Sequence, residues 1–433
     1  MDVNKIYEKY TSDKINYTKI KEYFKGNTDA FKNYKQESGR SNLKVSCNYL
    51  KKFVKEETSY SVGNPITYGS KKGDSLIQES LDNVMENFKE NHDVNTFMDM
   101  VLFGKAYEVY FIDRWGDIQV KSISPTSGYH VEDAQGIVTD FIHVYNILNE
   151  DGETEEYIDH YTTTEIRHLD ADFKEIAEPT VHFFEEVPVG VALLSDYGWE
   201  DTIYSDIKGL QDALETNLSD ITNEVSDFRS AYLTLSGVEL GDNDEEKTNN
   251  AKKLKELGIM IMDDNGKAEW LIKNINDSFI QNTLKTLQEK MYELTSHINH
   301  NDVQQSSNAS GVALKSKLIS LMQRCVINQN SYMELLKTRI RCIFTILNKQ
   351  GKNLNWKDVK VTFKPCIPND DYQISQIIQM LQGIVSDETL MAQLSFVESP
   401  EEEISKREKQ NGDTYEDLTE EEEVEEIEEE EVV

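Results

Sequence analysis

The stretch NHNDVQQSSNASGVALKSKLISL, residues 299–321, decides how this chain is read. A helical pattern ends at its start, and small polar residues fill its middle. A second, longer helical pattern opens at Ser310-Gly311-Val312-Ala313-Leu314-Lys315. A polar break between two long helices is costly inside a core, because loop backbone needs water or a partner. The segment is expected at a surface, where loops carried by rigid elements often hold function. What it faces depends on the helices around it.

Upstream, residues 201–235 place Ile203, Ile207, Leu210, Leu214, Leu218, Ile221, Val225, Phe228, Tyr232 and Leu235 at intervals of three and four. This spacing predicts one helix, roughly 50 Å long, with a thin apolar stripe suited to a bundle or ring of helices. Its other face carries Asp206, Asp212, Glu215, Asp220, Glu224 and Asp227, with Asp201 at its start. A solvated face is the ordinary reading of such acids. Residues 237–275 form a small insertion with an acidic turn (Asp242, Asp244, Glu245), a short helix over 247–257 and strands over 258–262 and 268–273. The turn Asp263-Asp264-Asn265-Gly266 between those strands predicts a protruding hairpin. A second helix is expected over 277–299.

Beyond the loop, residues 311–350 carry Lys315, Lys317, Arg324, Lys337, Arg339, Arg341 and Lys349 against the single acid Glu334. Basic amphipathic helices bind membranes or nucleic acid. The apolar face here is broad (Leu314, Leu318, Leu321, Cys325, Leu335, Ile343, Phe344), which points to a core helix. Its cations are expected to meet acids on a neighbouring subunit.

Residues 1–72 hold fifteen Lys and Arg against eight acids, with Tyr7, Tyr10, Tyr17, Tyr23, Phe24, Phe31 and Tyr34 interleaved. That mixture suits base stacking, but an arm packed on an acidic partner surface is the preferred reading. Residues 75–103 read as one helix stopped by Gly104. Strands follow over 106–112, 118–123, 137–147, 155–163 and 166–169, an antiparallel arrangement that makes the fold class α+β. A strand over 359–364 and helices from 370 close the folded part.

The formal net charge is −35, and residues 413–433 contribute thirteen acids and no Lys or Arg. Such a run self-repels and is expected to be disordered. The balance argues against a protein that wraps nucleic acid by neutralising phosphates. Four cysteines form no CxxC pair, the start lacks the apolar run of a signal peptide, and no stretch approaches a membrane span. Phosphate-loop, serine-hydrolase and zinc motifs are absent from the sequence. His297, His300 and Asp302 at a helix end invite a metal reading, but exposed or loop-lining roles are commoner. No catalytic residue, metal or cofactor is expected.

The order of these elements resembles the portal proteins of tailed bacteriophages, of the type found in phages of Gram-positive hosts. The resemblance rests on Tyr23-Phe24-Lys25-Gly26-Asn27, residues 42–49 and 59–66, Gly104-Lys105-Ala106-Tyr107-Glu108, and Ile123-Ser124-Pro125. It continues through Val187-Pro188, Ser219-Asp220, residues 233–237, Ser310 to Lys315, residues 363–368, Gly383, Ser386 and Glu388-Thr389. The acidic tail lies outside it. The resemblance implies a portal fold: an α/β wing (1–200 and 311–369), a two-helix stem (201–236 and 276–299), a small α/β clip (237–275), a tunnel loop (300–310) and a helical crown (370–412). It further implies a structural, non-enzymatic homo-oligomer, a ring of twelve at one capsid vertex of the virion, assembled in the host cytoplasm. Double-stranded DNA would pass through its channel. The terminase large subunit and head–tail connector proteins would dock on the clip at Asp242, Asp244, Glu245, Asp263, Asp264 and Asn265. Major capsid and scaffolding proteins are further implied partners. Asn301, Asp302, Gln304, Gln305, Ser306, Ser307 and Asn308 would line the constriction, and the stem acids would repel DNA. The alternatives are a metal-dependent nuclease using His297, His300 and Asp302, or a capsid-associated scaffold.

Overall fold

The computed structural model describes residues 2–36, 41–149, 152–228, 233–236, 243–249, 267–270, 277–299, 311–366, 371–391 and scattered positions from 393 to 410. Residues 1–365 form one compact unit and residues 366–433 a second. Within the first unit, helices α1 (Val3–Lys25), α2 (Asp29–Asn33) and α3 (Tyr49–Val62) lead to strand β1 (Thr67–Ser70). Helices α4 (Ser75–Met85) and α5 (His92–Phe103) come next. Strands β2 (Lys105–Ile112), β3 (Ile118–Ile123), β4 (Gly128–Glu132), β5 (Val138–Leu148), β6 (Thr154–Tyr161), β7 (Glu165–Asp170), β8 (Thr180–Val181) and β9 (Val189–Leu193) follow. Helix α6 (Ile203–Phe228), strands β10 (Leu233–Ser236) and β11 (Lys267–Trp270), helices α7 (Asp277–Leu294) and α8 (Gly311–Lys349), and strand β12 (Val359–Thr362) complete the unit. The second unit contains α9 (Asp371–Leu381) and α10 (Asp387–Met391). The α+β class is as expected.

All strand pairs are antiparallel, in a five-stranded sheet β4-β5-β6-β7-β8, a three-stranded sheet β3-β2-β9, and the two-stranded pairs β1-β12 and β10-β11. The β1-β12 pair joins Thr67 to Thr362, and the end of α7 already lies on the N-terminal body, with Met291 buried in the main core and His297 against Phe53. Helix α8 runs through the largest core, where Tyr332, Leu335, Leu336, Ile343 and Phe344 pack with Phe53, Phe97 and Tyr110. Helix α1 bridges two cores: Val3, Ile6 and Tyr10 cover Ile142 and Ile158 of the five-stranded sheet, while Tyr17, Ile20 and Tyr23 enter the main core.

Three expectations are corrected. The helix expected over 75–103 is two helices, because residues 86–91 turn between them. That turn brings His92 to Glu108 and seats Phe88 under the Arg339 guanidinium. The helix expected over 201–235 ends at Phe228, and Leu233–Ser236 pairs instead with Lys267–Trp270. Leu233 and Leu235 satisfy a helical spacing, but they also alternate, and the cross-strand partner decides. The strand expected over 258–262 lies outside the described residues. The third helix, expected over 277–299, ends at Leu294.

Two glycines permit the close packing around β2. Gly104 ends α5 at φ +80°, where a Cβ would lie 2.3 Å from the Gly198 carbonyl oxygen. At Gly190 a Cβ would meet the Tyr110 hydroxyl at 2.2 Å and Leu335 Cγ at 3.0 Å, so its hydrogen side chain lets α8 rest on β9. Gly190→Val is expected to destabilise the protein by about 2–3 kcal/mol through overpacking, read as a lower urea midpoint with an unchanged m-value.

Candidate channel-lining and docking elements

Helix α6 carries four polar residues on one line, Gln211, Glu215, Ser219 and Asn223, each one helical turn from the next. An extended segment over 41–48, leading into α3, runs alongside in the opposite direction. The N–H of Leu43 donates to Asn223 Oδ1 at 2.7 Å, that of Val45 to Ser219 Oγ at 3.0 Å, and that of Cys47 to Glu215 Oε1 at 2.9 Å. The N–H of Leu50 reaches Gln211 Oε1 at 3.2 Å. Asn223 returns an N–H to the Leu43 carbonyl at 2.7 Å, as a neighbouring strand would. The match is geometric. Two extended residues advance about 6.6 Å and four helical residues about 6 Å, so alternate amides meet successive turns.

The acids beside this line are also engaged. Asp212 accepts from the Tyr23 hydroxyl at 2.9 Å, the Ala30 N–H at 3.3 Å and Lys208 at 2.9 Å. Glu215 is 1% exposed and accepts from the hydroxyls of Thr28 and Ser46. Asp220 accepts from the Tyr34 hydroxyl at 2.7 Å, and exposed Asp206 lies 3.7 Å from Arg324. Burial raises the Asp206 carboxyl pKa, and Arg324 opposes the shift. Glu224 is half-buried, and the side chain of Asp227 lies outside the described residues. The expectation of one solvated acidic face is therefore corrected at Asp212 and Glu215. Their neighbour is the basic, tyrosine-rich N-terminal segment of the same chain. Tyr10, Tyr17 and Tyr23 of that segment are core residues, which leaves those rings no role in stacking on bases.

Among the described residues, five cations of α8 have acid partners within the chain: Arg324, Lys337, Arg339, Arg341 and Lys349. Arg324 pairs with Glu57 at 3.1 Å, Arg341 with Glu186 at 2.6 Å and Lys349 with Glu185 at 2.9 Å. Arg339 is 1% exposed and makes a fork on Glu108, with Nε to Oε1 at 2.8 Å and Nη2 to Oε2 at 2.5 Å. It also donates to Asp93 at 2.6 Å and to the Tyr68 hydroxyl at 3.0 Å. His92 Nε2 sits 2.6 Å from the same carboxylate. Burial pushes the Glu108 pKa up, but Arg339 and His92 outweigh it and hold the carboxyl at about 2. His92, Asp93 and Glu108 have the spacing of a metal triad. The guanidinium already supplies the positive charge there, so a second cation would be repelled.

His297 does not fit the metal reading. Its ring is buried, with Nδ1 2.8 Å from the Thr295 carbonyl oxygen and Nε2 3.1 Å from that of Phe53. Burial lowers its pKa to about 4. His300 and Asp302 lie outside the described residues, as do Asn301, Gln304, Gln305, Ser306, Ser307 and Asn308. Of the residues expected to dock partners, Asp244 and Glu245 are exposed on a helical turn over 244–249 capped by Asn243. Asp242, Asp263, Asp264 and Asn265 lie outside the described residues. Among the described residues, no helix is long and apolar enough to cross a membrane.

The features thus far are those of an α+β body held by internal polar contacts, without an assembled catalytic group among the described residues. Comparison with known proteins gives the family. Residues 3–431 match the family described as "Phage portal protein, SPP1 Gp6-like", and the chain belongs to that family. It is 22% identical over 398 residues to the portal protein of Bacillus phage SPP1, covering 86% of this chain and 76% of that one. Among solved structures it is similar to a chain in the neck of an empty gene transfer agent particle, with TM-score 0.44, 9% identity, and coverage of 80% of this chain and 88% of that one. It is also similar to a chain of the native gene transfer agent virion, with TM-score 0.45, 9% identity, and coverage of 78% and 87%.

Glu215→Ala is expected to cost about 2–4 kcal/mol, because it strands a buried N–H and two hydroxyls. Faster proteolysis within residues 34–48 accompanies the loss if the 41–48 segment depends on this contact. A second expectation concerns acid. Burial holds the His297 pKa at about 4 against the ordinary 6.5, so its contribution is full above pH 6.5 and is lost as pH falls toward 4. His297→Gln should flatten the decline of unfolding free energy over that window by up to one proton.

Proposed function

We propose that this protein is the protomer of a portal ring at one vertex of a phage capsid, forming the conduit for DNA packaging and ejection. The observation that carries this reading is the family match across residues 3–431. On this reading, residues 1–200 and 311–369 are the wing, α6 and α7 the stem, residues 237–275 the clip, residues 300–310 the tunnel loop, and residues 370–412 the crown. The ring has twelve copies, and the clip docks the terminase large subunit and then connector proteins. The role is structural: terminase supplies the ATP hydrolysis. Capsid and scaffolding proteins surround the wing.

A conduit must not hold its cargo. Each Lys or Arg on a phosphate releases counterions and adds affinity. The internal pairing of Arg324, Arg339, Arg341 and Lys349 is compatible with that demand. The loop over 300–310 contains no Lys or Arg, which favours a passive collar over a lever that grips DNA. The engagement of His297 disfavours the nuclease alternative.

Negative-stain images of the purified protein should show rings with a central hole. A monomer at every protein and salt concentration would overturn the reading. Replacing Gln304 to Asn308 with Gly and Ser should leave rings intact while changing the amount of DNA packaged or retained. Loss of rings in that variant would make the loop a structural element instead.

A further inference from the structure

Strand β9 is an edge of the three-stranded sheet, and among the described residues no strand pairs with its outer side. The register settles which groups point outward. Tyr110 N–H donates to the Pro188 carbonyl and Leu194 N–H to the Gly104 carbonyl, so residues 188, 190, 192 and 194 face β2. In an antiparallel pair the alternate residues face away. The N–H and C=O groups of Val191 and Leu193 therefore point away from the sheet, and among the described residues no backbone group meets them. They open onto a cleft of about 580 Å³ between α8 and the β4-β5 hairpin. Val138, Val189 and Val191 give the cleft apolar walls, and Glu132, Asp196 and Glu334 give it negative charge. Arg341, its one cation, is held by Glu186.

At the opposite edge of the same sheet, β3, no strand among the described residues pairs with the outer side either. Asp113 N–H donates to the Asp117 carbonyl, which places residues 117, 119, 121 and 123 toward β2 and turns the amides of Val120 and Ser122 outward. Among the described residues no backbone group meets these two either. This edge carries the exposed Lys121.

We propose that the β9 edge is a strand-addition site for a second copy of this chain, and that the donor is the neighbour's β3 edge. The inference rests on the ring reading above and names a contact that builds the ring. Open edges are normally covered or charged, because they recruit other strands. Here one sheet has two open edges, one beside acids and one bearing a lysine. Joining the first edge of one copy to the second edge of the next is a heterologous contact, which builds a ring when the rotation between copies closes. Backbone hydrogen bonds supply the affinity, and Lys121 opposite Glu132 and Glu334 fixes the partner.

The test uses the full chain. Val191→Pro and Val120→Pro each delete one outward N–H and no bond to β2, a position where edge strands tolerate proline. Both variants should keep the wild-type circular dichroism and melting profile. Both should need about tenfold or more protein to form rings, as judged by sedimentation and negative stain. Ala192→Pro removes an inward N–H and should destabilise the protomer itself. Should the proline variants fail to fold, charge reversal decides: Glu334→Lys and Lys121→Glu each weaken assembly, and together they restore it. Wild-type rings alongside unimpaired rings of folded V191P overturn this inference alone. Failure of the double reversal to restore rings overturns β3 as the donor. A wild-type protein that forms no rings overturns the ring reading as well.

Discussion

The structure depends on side chains of α6 that stand in for a neighbouring strand. An extended segment with no sheet beside it has amides to satisfy, and burying them unpaired would cost more than packing returns. Glu215, Ser219 and Asn223 solve this by meeting alternate amides of the segment at 2.7 to 3.0 Å, and Gln211 accepts from Leu50 in the first turn of α3 at 3.2 Å. The helix thereby becomes the spine for the described residues between Tyr23 and Leu50. Tyr23 and Tyr34 add hydroxyl contacts to Asp212 and Asp220 on the adjoining row.

A second constraint comes from the other side of the chain. Helix α8 must return to a core assembled from residues more than two hundred positions earlier. Apolar burial drives that return but does not fix its register. Arg339 does, because a guanidinium forked on Glu108, with Asp93 and Tyr68 at its other nitrogens, tolerates no slip by a turn. Removing one partner would leave a buried charge alone, so the group acts as a unit. Glu57 with Arg324 and Asn328 repeats the device fifteen residues earlier on the same helix. Burial raises the Glu57 pKa against the pull of Arg324, so this second pair is held less firmly in its charged form than Glu108.

Sequence patterns disclosed what depends on one local period. The strands β2, β3 and β5, the stop at Gly104 and the apolar stripe of α6 were all legible in this way. Pattern failed where a distant partner decides. Glu215 looks like any acid on a helical face until residues 41–48 are laid beside it, and those residues have no period of their own. Arg339 is indistinguishable in sequence from Lys337 two positions away, yet one is buried and the other lies at the surface beside Glu334. Leu233 and Leu235 fit two periods, and only Lys267–Trp270 selects the strand. The open edge at β9 is likewise invisible in sequence, because it follows from which alternate amides β2 has already taken.

The charge of the chain takes on a different meaning in this light. A net of −35 suggests a conduit that repels DNA with a wall of acids. Yet on α6 the acids at 212 and 215 are used to hold the protomer together, and Asp220 is bonded to Tyr34. On α7, Lys285 and Lys290 are balanced by Glu289 and Glu293 within one turn. What these described helices offer a passing polyanion is thus mainly an absence of free cations. Affinity for DNA scales with the number of phosphates neutralised, so a surface whose cations are already paired has little grip whether or not it also repels. The acids matter first as the partners that take those cations out of play. On the proposed portal reading, a lining with little grip on DNA would follow from the same contacts that build the fold.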